Sequence, residues 1–451
     1  MSSRAALLVR LWRAEGAWAL LARARDHGAE ARRRRGFRRV ALRELPAVPV
    51  LHVAATPPAP WLGGVPAQLG TRLGELERHR PTALLFPWRR GWRVEVVHGA
   101  ERLAAELPAG AAPADEDGRW GAAVREVAAA LRSRLLHVEG AAGLPHTTLA
   151  ELAREQPLVL ALHDFTLCCP RPNLFDERSG VACSPCADAA TCAARLLAGG
   201  HAAAADAEEW RAQGAALFAA ARCVVYSSEY LRRAHVELFG GAGRMWRTIA
   251  PGIHRSPLEP WRWPWTPRRR SARIAFLGGG GAHKGSALLA AVLAEWDRRG
   301  LPPVRWEVLG GGGGDQLRLL RRLPAVRVRG YYRHGTLPQR LRTGWFELAL
   351  LLPQVPESFS LALSECWAAG VPVLALAQGA LADRLAAGGG HPLPATAGRD
   401  EVIAAIQRWI VGELPLPPPP PPAPTAAAAA VAYTELFDEL LAADGGAPGP
   451  P

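Results

Sequence analysis

Two series of short apolar runs, separated by longer stretches of mixed polarity, organise this chain. The first series holds Val48–Ala54, Thr82–Phe86, Leu135–Glu139, Leu158–Leu162, Cys223–Tyr226 and Thr248–Ala250. The second holds Ile274–Leu277, Trp306–Leu309, Val326–Val328, Leu348–Leu351 and Val371–Leu376. Runs this short and this continuous predict strands buried on both faces, as in parallel sheets covered by helices. After the first run comes Gly63-Gly64-Val65, and Gln68–Arg80 then reads as a helix. Strand, glycine loop, helix is the opening of a nucleotide-binding α/β fold. Two such series in succession predict two Rossmann-like domains facing a central cleft.

Length agrees with that division, since 451 residues exceed one ordinary core and suggest two or three domains. Residues 256–272 are rich in Pro, Trp and Arg and lack periodicity, so the linker falls there. Pro415 to Pro424 predicts an extended spacer, and Ala426 to Leu441 a closing helix. The expected parts are a lead-in over 1–45, a first domain over 46–255 and a second over 273–414. A spacer over 415–425 and a helix with tail over 426–451 follow.

No apolar run reaches about 18 residues, which argues against a membrane-crossing helix. The N-terminus lacks the apolar core of a secretory signal, so a cytoplasmic location is expected. Net charge is 54 − 41 = +13, and it is uneven. Residues 1–40 carry Arg32 to Arg35, Arg38 and Arg39, interspersed with Leu7, Leu8, Leu11, Trp12, Trp18, Leu20 and Leu21. This reads either as a basic amphipathic segment lying on an anionic membrane, here the inner membrane surface, or as a solvated lead-in. Nucleic acid is not the expected partner, because the aromatics form no stacking platform.

The chemistry concentrates in Pro356-Glu357-Ser358-Phe359-Ser360-Leu361-Ala362-Leu363-Ser364-Glu365, which leads into a short apolar stretch closed by Gly370. Glu357 is expected where a loop enters a helix, and Glu365 about two turns on, roughly 12 Å away. Carboxylates that far apart cannot share a proton or a metal, but they can hold two ends of one long ligand. Between them, the N–H groups of Ser358, Phe359, Ser360 and Leu361 are expected to be unpaired at the helix start and to favour an anion. Acceptor, anion hole, acceptor suits hydroxyl, diphosphate, hydroxyl: a nucleotide sugar.

PESFSLALSECWAAGVPVLA resembles the E-x7-E signature of retaining family 4 glycosyltransferases. The resemblance covers roughly residues 46–441. It implies GT-B architecture with a C-terminal helix crossing back to the first domain. It also implies that Glu357 contacts the donor sugar and Glu365 the nucleotide ribose. Phe276-Leu277-Gly278-Gly279-Gly280-Gly281-Ala282-His283-Lys284-Gly285 is similar to that family's phosphate loop, whose lysine binds the donor diphosphate. Glycines fill the places where the family carries an Arg. Lys284 is the only lysine among 54 basic residues, which suggests a local requirement. LVLALHDFTLCCPRPNLFD resembles the His-Asp segment of one branch of these enzymes. By that likeness His163 faces the donor sugar across the cleft and acts with Glu357 at the catalytic centre. Gly63 and Gly64 match the N-terminal glycine loop, and Gly379-Ala380, before Arg384, a loop near the nucleotide.

Cys183-Ser184-Pro185-Cys186 has metal-ligand spacing, and with Cys169 and Cys192 could close a structural zinc site. Free thiols are the other reading. No cofactor is expected for catalysis. The expected activity is transfer of a sugar, with retention and without a catalytic metal, from a nucleotide-sugar donor to a glycan or lipid-linked acceptor in surface polysaccharide assembly. The alternative is a non-catalytic binder of nucleotide sugars or glycans with the same fold.

Overall fold

The computed structural model describes residues 9, 11–59, 63–108, 116–176, 180–183, 192–194, 207–241, 245–253, 272–312 and 314–444. They form two compact units, each built on its own sheet.

One unit comprises Ala29–Leu174, Cys183–Gly252 and Thr425–Pro451. Among the described residues its sheet has nine strands. In spatial order they are Arg38–Arg39, Glu101–Pro108, Gly91–His98, Thr82–Trp88, Val50–Val53, Leu135–Glu139, Leu158–Leu162, Cys223–Tyr226 and Met245–Thr248. From Thr82–Trp88 to Met245–Thr248 every pair is parallel. Val50–Val53, Leu135–Glu139, Leu158–Leu162 and Cys223–Tyr226 are buried along their whole length, as their continuous apolar character requires. The closing helix, Ala426–Asp444, belongs to this unit. Its Ala430, Tyr433, Phe437 and Leu440 share a core with Val50, Leu73, Leu76 and Val225. That is the return of the C-terminus to the N-terminal sheet that the sequence suggests.

The other unit comprises the described parts of Met1–Gly28, Phe175–Ala182 and Ile253–Pro424. Its six-stranded sheet is wholly parallel, in the order Val326–Gly330, Val304–Leu309, Ala272–Leu277, Leu348–Leu351, Val373–Leu376, Gly390–Leu393. In chain order this is 3-2-1-4-5-6, the doubly wound arrangement whose ligand crevice opens at the carboxyl ends of strands 1 and 4. Aromatic bulk fills the core beneath it: Phe276, Trp296, Trp306 and Trp409.

The compact division departs from the sequence-based boundaries at the N-terminus. Residues 11–15 and the helix Ala17–Arg35 do not form a separate lead-in. Ala14, Glu15, Ala19 and Asp26 are buried. Glu15 pairs with Arg23 and accepts the N–H groups of Gly312 and Tyr331, while the Tyr331 hydroxyl donates to Asp26 at 2.7 Å. Charge counting hid this, because two of the three carboxylates among many arginines, Glu15 and Asp26, are the residues that dock the segment.

Candidate functional site

The switch point of the six-stranded sheet brings two loops together. One follows Leu277 and runs through Gly278–Gly285; the other follows Leu351 and runs to Ser360. The Gln354 N–H donates to the His283 carbonyl at 2.8 Å. Lys284 Nζ reaches Glu357 Oε1 at 2.6 Å. Gly285 (φ +85°) makes the turn into the helix Ser286–Arg298, and a Cβ there would fall on the Leu352 carbonyl. Gly285 therefore holds the two loops in register, and any side chain would separate them. His283 beside the pair is depressed to about 4, chiefly by burial and then by the Lys284 charge, so it is neutral at pH 7.

The helix after Glu357 starts later than the sequence suggests, at Leu361. Ser360 is left-handed (φ +69°), a conformation that ends any continuous helix from Ser358. Glu357 instead lies in extended backbone beside Gly379, and its carbonyl accepts the Ala380 N–H at 2.8 Å. The N–H groups without intrahelical partners thus begin at Leu361, not Ser358. Arg384 fixes the intervening turn. It donates to the carbonyls of Phe359 and Ser360, both at 2.8 Å, and to Ser364 Oγ at 2.7 Å. Its guanidinium also stacks on Phe359 and Trp367.

Glu365 lies inside the helix Leu361–Ala369 and is buried. Oε1 accepts the Gly335 N–H at 2.9 Å, while Oε2 is buried without a hydrogen-bond partner among the described residues. Burial pushes this carboxyl up to about 7, against the smaller opposing effect of the Gly335 hydrogen bond. A buried carboxyl oxygen left unpaired is uncommon in a folded chain and marks Glu365 as a residue whose partner lies outside the fold's own hydrogen bonds.

In the other unit, Gly63 precedes the helix Gly64–Leu76 with φ +124° and open space where a side chain would be. His163 follows the strand Leu158–Leu162. Asp164 turns back to hold Thr166 by its N–H and hydroxyl, so it shapes the loop. Around His163 lies a buried network absent from the sequence reading: His52, His137, Glu139 and Arg72. Arg72 donates to Glu139 Oε1, and His52 and His137 approach through their Nδ1 atoms at 2.9 Å. Gln68, Arg72, His163, Gly252 and Tyr433 line one small cavity here.

Solved structures locate this architecture. HepE from Anabaena, in complex with UDP and glucose, aligns with a TM-score of 0.53 at 14% identity, over 89% of this chain and 100% of its own. Sucrose-phosphate synthase from Thermosynechococcus elongatus gives 0.58 at 16%, over 87% and 99%. The lipopolysaccharide outer core galactosyltransferase WaaB gives 0.55 at 10%, over 89% and 100%. The fold is that of the GT-B glycosyltransferases. No family model matches the chain, and no curated protein matches it in sequence.

Within this GT-B chain the cysteines divide. Cys169 packs in the first unit's core with Cys183 and Cys192 against it, whereas Cys186 lies outside the described residues. Burial pushes the Cys169 thiol up to about 11, with Cys192 and Cys183 close enough to add to the effect. Among the described residues, the group whose metal-ligating atoms gather within 4.8 Å is His52, His137 and Glu139. Arg72 already neutralises that carboxylate.

Sequence reasoning also passed over the second glycine loop, Gly310–Gly312, whose backbone abuts Gly278–Gly279. Its signal was visible as a glycine run directly after Leu309. The Arg72–Glu139 pair had no local signal, since its members stand 67 residues apart.

Proposed function

We propose that this chain is a retaining glycosyltransferase that moves a sugar from a nucleotide-sugar donor to a glycan or lipid-linked acceptor in surface polysaccharide assembly. The observation that carries this reading is the crevice of the six-stranded sheet. It combines a Lys284–Glu357 pair, the N-terminus of the Leu361–Ala369 helix, which the Ser360 side chain does not cap, and the buried Oε2 of Glu365. A nucleoside diphosphate sugar satisfies all three. Its ribose hydroxyl donates to Glu365, its diphosphate takes the helix N–H groups and Lys284, and a sugar hydroxyl meets Glu357.

In the reaction, the bond between the anomeric carbon and the donor phosphate oxygen breaks. The acceptor oxygen bonds on the same face, and its proton passes to the departing phosphate. Lys284 and the helix N-terminus stabilise the charge that grows on the diphosphate, which is the role a metal plays elsewhere. Glu357 is engaged by Lys284, so it positions rather than attacks. His163 and the Gly63 turn lie in the other unit, where a sugar or acceptor hydroxyl is their expected partner.

We also propose that the protein meets an anionic membrane through its N-terminal segment. Trp12, Trp18 and Leu21 are 54%, 82% and 60% exposed, beside the exposed Arg13 and Arg25. Exposed indoles among arginines suit the headgroup layer of a bilayer. No helix among the described residues is long and apolar enough to cross a membrane.

A donor panel with mass and anomeric analysis of products tests the enzymatic reading. It predicts transfer from one class of nucleotide sugar with retained configuration. Binding of nucleotide sugars without hydrolysis or transfer would overturn it in favour of a non-catalytic binder.

A further inference from the structure

The buried carboxylate of Glu139 sits among four basic side chains. Arg72 takes Oε1, and the Nδ1 atoms of His137 and His52 stand 3.2 and 3.5 Å from the same oxygen. His163 turns Nε2 toward the other oxygen, Oε2, at 3.8 Å. The Cδ2 atom on the same ring edge lies against Gly140, which follows Glu139 (φ +79°). Topology brings these groups together. Glu139 ends one parallel strand, His163 follows the next, and His52 lies across the switch point of this sheet.

A carboxylate so enclosed could serve as one arm of a two-histidine metal site. The charges argue otherwise. A divalent ion would have to displace Arg72 from Oε1 or share a dry site with it. Burial alone would raise the Glu139 carboxyl, but Arg72 and the surrounding imidazoles together outweigh it and hold the carboxyl well below the usual range. His52 and His137 are both lowered, chiefly by burial, so they are neutral at pH 7. The core of the network is therefore one Arg–Glu ion pair with the neutral imidazoles of His52 and His137 beside it.

We propose that Glu139 is a positioning residue for His163: its Oε2 selects the Nε2–H tautomer and leaves Nδ1 as a hydrogen-bond acceptor for a ligand hydroxyl. The reasoning is stoichiometric. An ionised carboxylate only accepts, so the ring nitrogen facing it carries the proton. In a neutral ring the other nitrogen then has a lone pair. Arg72, stacked on Tyr433 at 4.4 Å, anchors the carboxylate and so the ring. The inference deepens the functional reading, since it specifies a hydroxyl donor as the partner of His163 and makes Nδ1 the atom that meets it.

The test is long-range proton–nitrogen NMR on the full chain labelled at histidine. It is run at about pH 8.5, some two units above an ordinary histidine pKa, and assigned by difference from His163→Gln. The wild-type ring is expected as Nε2–H with a bare Nδ1. In Glu139→Gln the preference should be lost, and transfer kcat should fall about 10²-fold while donor KM moves less. If Glu139→Gln unfolds because Arg72 is stranded, the double variant Arg72→Gln/Glu139→Gln removes both charges and serves instead. A wild-type Nδ1–H tautomer would overturn the proposal. So would an unchanged tautomer in the variant, or one divalent metal per chain lost on His52→Ala. A wild-type chain that transfers no sugar would overturn the enzymatic reading but leave the tautomer result standing.

Discussion

Lys284 Nζ lies 2.6 Å from Glu357 Oε1, joining residues 73 apart in sequence at the carboxyl edge of one sheet. The lysine is about one-third exposed and the glutamate nearly buried. In the proposed function, a bound diphosphate would meet an ammonium already oriented by Glu357. Glu357→Ala should lose at least about 10²-fold in transfer kcat while circular dichroism and melting stay close to wild type. Wild-type turnover by the purified variant would remove Glu357 from the site.

Glu365 supplies a pH signature. Its carboxyl is pushed from 4.5 to about 7 by burial. Between those values the folded chain holds a proton there that the unfolded chain has released. The folded state then binds more protons, so stability falls as pH rises through that window. Urea titrations from about pH 5 to about pH 8, from about two units below the raised Glu365 value to about one above it, should show this slope flattened in Glu365→Gln. Nucleoside diphosphate should bind more tightly above about pH 7, where the carboxylate accepts a ribose hydroxyl fully. A Glu365→Gln variant with the wild-type pH profile would contradict both.

Arg384 gives a structural prediction. It ties two carbonyls and a hydroxyl and stacks on two rings, and burial alone depresses it to about 10. Arg384→Ala should cost about 2–3 kcal/mol by denaturant unfolding, the scale of a charged hydrogen bond with the partners left unpaired. Arg384→Lys should recover little, because an ammonium cannot reproduce the planar fork and the stacking. Equal midpoints for Lys and Arg would show that only the charge matters.

Trp18 and Leu21 lie one turn apart on the exposed face of the helix Ala17–Arg35. Trp18→Ala/Leu21→Ala should weaken sedimentation with anionic vesicles, and raising salt should weaken it further, since such charges are screened within about 10 Å at 0.1 M. Unchanged binding by the double variant would exclude this face as the membrane contact.

The strand pattern made the α/β class and most of the parallel strands of both sheets legible, because buried parallel strands are written as unbroken apolar runs; Gly390–Leu393 is one parallel strand it left out. The antiparallel strands Gly91–His98 and Glu101–Pro108 were not found. Their apolar and polar residues mix, so no continuous run marks them. Local motifs single out Lys284, Glu357 and Glu365 in the sequence, and the structure pairs the first two and buries the third inside a helix. The start of the Leu361 helix was not legible, since a left-handed Ser360 is stabilised by Arg384, 24 residues away. The Arg72–Glu139–His163 network was equally out of reach, being assembled from a helix and two strand ends.

The proposed function requires that the crevice around Lys284 hold a nucleoside diphosphate. Calorimetric titration of wild type, Lys284→Ala and Lys284→Arg with a panel of nucleoside diphosphates tests it most directly. One nucleotide should bind the wild type, about 10- to 150-fold more weakly to Lys284→Ala, and at an intermediate level to Lys284→Arg. Three indistinguishable dissociation constants, or no binding by the wild type, would contradict the account.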